Sequence, residues 1–174
     1  SFKDLGRMGR DLAVFMRGRM QNLRPLLKDP FAVFSTPWFL NRLHCQAVIT
    51  VRHPAAFVSS LKRLEWPFQL QHLLDQPLLM RDWLEPFRPQ IESLLSESSG
   101  MVRQNSLLWL LIYSTVHRIK TLYPEVQIVR HEDLSTHPVE GYQRLFADLG
   151  LTFTSKAQQE ILASSSAENP KELK

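Results

Sequence analysis

Arg52 and Ser60, in the spacing Arg-x-Pro-x5-Ser with Pro54 between them, are the residues whose types and spacing best suit anion binding. A guanidinium carries fixed charge and several N–H donors, and a hydroxyl lower on the same helix can donate to an oxygen that the charge has already neutralised. The start of a helix adds unpaired backbone N–H groups and a partial positive charge at the same place. A phosphate ester suits such a site. The same residues have ordinary structural uses too: Arg52 as the salt-bridged end of a strand, Ser60 as a helix serine.

These side chains must be carried by a strand, a turn and a helix in immediate succession. Residues 47–51 are a short apolar run rich in β-branched side chains, which predicts a strand buried on both faces of a parallel sheet. Pro54 fixes φ where a helix can begin, and Phe57, Val58, Leu61 and Leu64 recur at helical spacing. Residues 126–129 predict a second short buried strand, ending at Arg130 and His131. If the two strands are parallel, Arg52 and His131 share the sheet edge at which open α/β folds bind ligands.

The remaining elements frame this unit. Residues 2–27 read as an amphipathic helix with a basic face, weakened by Gly6, Gly9 and Gly18, and that face is taken as solvated. Thr36-Pro37 opens a short helix, and residues 105–123 form a long apolar helix stopped by Pro124. Pro67, Pro77 and Pro86 break residues 65–87 into short apolar helices, either a wall over a cleft for an acceptor or packed surface helices. A last long helix starts at Pro138, shows Val139, Tyr142, Leu145, Phe146 and Leu149 on one face, and ends at Gly150. From Ser164 the chain turns polar and is expected to fray.

Composition sets broad limits. A chain of 174 residues with 44% hydrophobic content suits one soluble domain with its own core, 1–174. A net charge of +4 and a pI near 9.5 favour an anionic ligand but are too mild to call for nucleic acid. Cys45 is the only cysteine, so no internal disulfide and no multi-cysteine metal site can form, and a cytoplasmic location is the default expectation. The longest apolar stretch, 107–116, is about half of what a bilayer span needs, so no integral membrane segment is expected.

The Arg52/Ser60 motif behind a strand resembles the 3′-phosphate site of sulfotransferases dependent on 3′-phosphoadenosine 5′-phosphosulfate (PAPS). Two further stretches agree in order. Lys28-Asp29-Pro30-Phe31 resembles the Lys-Asp-Pro-Phe segment of the tyrosylprotein and bacterial branch, and Ile128-Val129-Arg130-His131-Glu132-Asp133-Leu134, followed by Phe146-Ala147-Asp148-Leu149-Gly150-Leu151, resembles the family's strand, Tyr-Glu-Asp-Leu and Phe-Leu-Gly-Leu succession. The resemblance implies a P-loop-transferase-like parallel sheet flanked by helices, helix-rich and partial. Arg52 and Ser60 would anchor the donor, and Lys28 would stabilise the charge that builds on the leaving phosphate. On its own Lys28 also reads as a surface lysine beside a turn. His131 stands where the family has tyrosine and would meet the adenine by stacking or hydrogen bonding, with Ser164 and Ser165 near it. Glu132 and Asp133 read as helix-start carboxylates in preference to catalysts.

The family's Gly-rich donor loop and the preceding strand are not legible before Lys28, so the chain is expected to be truncated at its N-terminus and to turn over little by itself. Asp29, His44 and His72 are the candidate bases. The leading expectation is transfer of a sulfuryl group from PAPS to a hydroxyl or amine of a small-molecule or glycan acceptor, with no metal. A non-catalytic module that binds PAPS or adenosine 3′,5′-bisphosphate, or an interaction module derived from the fold, is the alternative. A P-loop transferase acting on a nucleoside triphosphate would need a Walker loop and a Mg²⁺-holding hydroxyl, and neither is visible. The residues specify no oligomeric state.

Overall fold

Val48–Val51, four residues of which three are β-branched valine or isoleucine and one threonine, form strand β1, and Gln127–Arg130 form β2. The computed structural model describes residues 2–29, 32–97 and 99–165, and the strands pair in parallel with Val48 opposite Gln127 and Val51 opposite Arg130. The residues that follow both strands therefore emerge at one edge, as expected from the sequence. The described residues divide between two compact units, the first ending before Ala32 and the second beginning there. The second is a helix-rich α/β arrangement around this two-stranded sheet.

The first unit carries α1, Phe2–Met20. The helix stops earlier than the apolar pattern suggests, because Asn22 takes a left-handed conformation (φ 54°) and Leu23 N–H donates to Gly18 O while Asn22 N–H donates to Arg19 O. This is the Schellman closure, with asparagine in the place usually held by glycine. Leu23 and Leu27 thus fall outside the helix. Pro30 and Phe31 of the Lys-Asp-Pro-Phe segment lie outside the described residues.

In the second unit α2, Thr36–Leu43, precedes β1, and α3, Pro54–Arg63, follows it. The strand-to-helix switch rests on His53 and Pro54: the His53 ring accepts from Ala55 N–H as an N-cap, and Pro54 occupies the first turn where no N–H is needed. Next come α4, Gln71–Leu74, and α5, Pro77–Leu79, then a π-turn at Met80–Leu84, a 3₁₀ turn at Glu85–Phe87, and α6, Arg88–Ser96. Helix α7, Met101–Leu122, begins four residues before the predicted start and leads into β2. Short α8, His131–Thr136, is followed by α9, Pro138–Asp148, and α10, Ser155–Ser164. Gly150, at φ 63°, ends α9 as expected, with Leu151 N–H donating to Phe146 O and Gly150 N–H to Ala147 O. The polar end from Ser166 lies outside the described residues.

Two expectations are corrected. Strand β1 is not buried on both faces: Ile49 and Val51 are half-buried, whereas Val48 and Thr50 are exposed. Ile49 packs with Leu40, Ile119 and Val126, so one face meets α2 and α7, and among the described residues nothing covers the other. Residues 65–87 also build core rather than a wall over the cleft described below. Leu70, Leu73, Met80 and Leu84 are buried with Ile91, Leu107 and Leu111 in the larger apolar cluster, because prolines let the chain fold back on α7 in short pieces. Arg118 of α7 lies over the Trp83 ring at 5.0 Å and donates to Asp82 O at 2.7 Å, fastening the π-turn to the helix.

Asn105, near the start of α7, is 0% exposed, and neither its Oδ1 nor its Nδ2 has a hydrogen-bond partner among the described residues. Burying such groups unsatisfied costs about 1–3 kcal/mol, and leucine has the same branching without the polar atoms. Asn105→Leu should therefore raise unfolding stability by about 1–2 kcal/mol in urea titrations. Unchanged or lower stability would show that the amide does have a partner, such as an internal water.

Candidate functional site

Where β1 and β2 end, the second unit opens a cleft of about 350 Å³. Val51, Arg52, His53 and Pro54 line it from the β1–α3 turn, Trp109, Tyr113, Val116 and His117 from α7, and Ile128, Arg130 and Glu132 from β2 and the first turn of α8. Its place at the carboxyl ends of parallel strands is the one open α/β sheets use for ligands.

The backbone around Arg52 is held by side chains distant in sequence. Arg52 N–H donates to the Tyr113 hydroxyl at 3.1 Å, and the Trp109 indole N–H donates to Arg52 O at 2.8 Å. His53 N–H donates to Glu132 Oε1 at 2.8 Å. The Tyr113 ring is itself placed by Trp109, with centroids 4.7 Å apart and tilted by 47°, and by Phe57 edge-on at 6.4 Å. Trp109 and Tyr113 sit one turn apart on α7, so both polar tips reach the same loop.

This arrangement narrows the expectation of unpaired amides waiting for an anion. The N–H groups of Arg52, His53 and Ala55 all have partners within the chain, and Pro54 has none to offer. Positive charge in the cleft comes instead from the side chains of Arg52 and Arg130. Arg52 is half-buried, and its Nε is fully shielded from solvent without a hydrogen-bond partner among the described residues. A guanidinium N–H left in that state lacks an acceptor oxygen, which a bound anion would provide. Arg130 is exposed and pairs only loosely with Asp133, at 3.9 Å.

Electrostatics follow the same contacts. The hydrogen bond from His53 N–H, ahead of lesser help from the Glu132 amide, His131 and Arg130, holds the Glu132 carboxyl below its usual range. Burial pushes the Tyr113 phenol up, against the hydrogen bond from the Arg52 amide. At neutral pH Glu132 is therefore ionised and Tyr113 is neutral.

The other residues singled out by sequence are spread more widely. Ser60 is half-buried about two turns into α3 and does not line the cleft. His131 opens α8 between two lining residues, is exposed, and has Nδ1 3.3 Å from the Ser135 hydroxyl. The Ser164 hydroxyl donates to Ile161 O at 3.0 Å, and the Ser165 N–H closes the end of α10 on Ile161 O at 3.0 Å. Lys28 and Asp29 are exposed and belong to the first unit. Neither His44 nor His72 lines the cleft. Sequence reasoning reads Glu132 as a helix-start carboxylate and passes over Trp109 and Tyr113, for which the four-residue spacing of two polar-tipped aromatics in the apolar stretch 107–116 is the available signal.

No family model, no curated protein and no solved structure matches this chain.

The Glu132 contact has a testable pH signature. Because its carboxyl titrates lower in the folded chain, its stabilising contribution is present above the ordinary glutamate value of 4.5 and is lost as pH falls through the depressed value. Glu132→Gln should be less stable than the wild type in urea at pH 7, and the difference should shrink at about pH 3. A difference that is the same at both pH values would mean that the carboxylate charge contributes nothing to holding the loop.

Proposed function

We propose that this chain is a PAPS-dependent sulfotransferase domain with a P-loop-transferase-like sheet, and that Arg52 grips the 3′-phosphate of the donor. The observation that carries the reading is the shielded Arg52 Nε–H without an acceptor, in a cleft where two parallel strands end. A phosphate oxygen supplies the missing acceptor and the counter-charge together. The Arg-x-Pro-x5-Ser spacing and the two accompanying motifs support the choice of an adenosine bisphosphate over other anions.

Within this reading Ser60, outside the cleft lining, is assigned to the same phosphate by resemblance alone, and the aromatic walls from Trp109 and Tyr113 exclude water from it. His131 follows Arg130 directly, so a purine extending from a phosphate at Arg52 past the end of β2 would meet it, with Ser164 and Ser165 assigned nearby by resemblance alone. Lys28, a residue of the first unit, is assigned to the sulfuryl end by resemblance alone, where a cation would stabilise the charge left on the departing phosphate as the S–O bond breaks. The acceptor is a small molecule or glycan bearing a hydroxyl or amine.

A second reading is a module that binds adenosine 3′,5′-bisphosphate or PAPS without transferring sulfate. It is favoured by one observation: His53, the imidazole nearest in sequence to Arg52, spends its Nδ1 lone pair on Ala55 N–H, and the hydrogen bond from the His53 amide holds the Glu132 carboxyl below its usual range, which makes it a weak base. Sulfate transfer to a panel of phenols, sugars and alcohols separates the two. Under the first reading Lys28→Ala lowers the rate constant for transfer far more than it weakens binding of the desulfated product, since its charge meets one that grows only in the transition state. Tight binding with no transfer selects the second.

Binding itself is tested by calorimetry. Adenosine 3′,5′-bisphosphate should bind more tightly than adenosine 5′-monophosphate. Arg52→Ala should remove about 1.5–3 kcal/mol of that preference and Ser60→Ala about 1 kcal/mol, the sizes expected for charge-assisted and neutral hydrogen bonds. Equal affinity for the two nucleotides would end the proposal.

A further inference from the structure

Glu132 is the one carboxylate among the residues lining the cleft. It reaches from the first turn of α8 to an amide 79 residues away, and takes the place at the start of α3 where a phosphate oxygen would otherwise accept. We infer that Glu132 is a built-in competing charge, which pins the His53 amide and at the same time loosens the cleft's hold on a bound dianion. The inference rests on the reading of the cleft as a phosphate site and goes beyond it, since it assigns a positioning and affinity-setting role to a residue outside the Arg/Ser pair.

The physical case is one of charge balance in a small space. The side chains of Arg52 and Arg130 bring two fixed positive charges to the cleft, and the Glu132 carboxylate, ionised at neutral pH, cancels one of them. The facing titratable groups are His53 and His117, also in the lining, with Tyr113 neutral, while Asp133 sits 3.9 Å from Arg130 on the same helix turn as Glu132. Removing one like charge from a dianion's surroundings at this scale, with water-like screening, tightens binding on the order of tenfold. The carboxylate is also an anchor: His53 N–H stays paired when the cleft is empty, so the loop keeps its shape between ligands. A site built this way holds its loop ready while letting a highly charged product leave.

The test uses the full chain, with adenosine 3′,5′-bisphosphate as the probe in calorimetry at two salt concentrations, and hydrogen exchange of the His53 amide followed by NMR without ligand. Glu132→Gln keeps an acceptor oxygen and removes the charge, so it should bind about tenfold tighter than the wild type, with a steeper salt dependence. Glu132→Asp keeps the charge and should stay within about twofold. The His53 amide should exchange slowly in the wild type and fast in Glu132→Ala. Equal or weaker binding by Glu132→Gln, or a His53 amide already unprotected in the wild type, overturns the inference. If Arg52→Ala binds as well as the wild type, the phosphate reading itself fails. If Arg52→Ala is weakened while Glu132→Gln is unchanged, only the role of Glu132 fails. Absence of binding to the wild type and Glu132→Gln alike overturns both.

Discussion

The backbone of Arg52 and His53 is fastened by three side chains that lie 57, 61 and 79 residues further along the chain. Everything the cleft can do depends on that attachment. It exists because β1 and β2 pair in parallel with Val51 opposite Arg130, which delivers the start of α8 beside the start of α3. Helix α7 connects towards β2 and packs along α3, so its Trp109 and Tyr113 face the turn from the other side. A single non-local strand pairing thus sets the positions of the hydrogen bonds that hold the loop. Each alone is small beside the entropy of ordering a loop, so the rigidity comes from their convergence on two adjacent residues.

What the sequence disclosed and what it concealed divide along the same line. The β1–α3 switch was legible because its causes are local: β-branched residues up to Val51, then Pro54 with apolar residues at helical spacing. The end of α9 was legible for the same reason, since Gly150 supplies the left-handed turn within the pattern itself. The exposed face of β1 was not, because an apolar run looks the same whether one side or both are covered, and what packs against each face is set by distant elements such as α2 and α7. The early end of α1 was hidden by the apolar pattern running on to Leu27, although Asn22 was there to mark it.

At the site, Arg52 was found from its place after a strand, whereas the role of Glu132 was hidden by a local reading that was itself sound. A carboxylate in the first turn of a helix is favourable wherever it occurs, so nothing in His-Glu-Asp-Leu marks one of the two acids as reaching across the sheet edge. The structure separates them: Glu132 takes the His53 amide, and Asp133 stays on its own turn beside Arg130. Polar contacts between distant segments are set by tertiary register, which one-dimensional spacing does not encode. Trp109 and Tyr113 were concealed in a different way, absorbed into an apolar helix because their rings satisfy the core pattern while their polar tips do the holding.

The commitment of the loop's own amides also decides what kind of recognition the cleft can perform. Where backbone N–H groups cradle an anion, side-chain identity matters little and many anions fit. Here the amides of Arg52, His53 and Ala55 are spent internally, so discrimination passes to the guanidinium. Its Nε lies inside the protein, while the rest of the side chain stays partly open to solvent, which fixes the plane in which the fork presents its remaining donors. Lysine has no nitrogen at that point in its chain, so it would supply charge without the directional donor that the buried position requires. Under the proposed reading the arginine is therefore specified by geometry as well as by charge, and the attachment of its own N–H and C=O and of the His53 N–H would turn that geometry into a preference for ligands that bring an oxygen to one defined place.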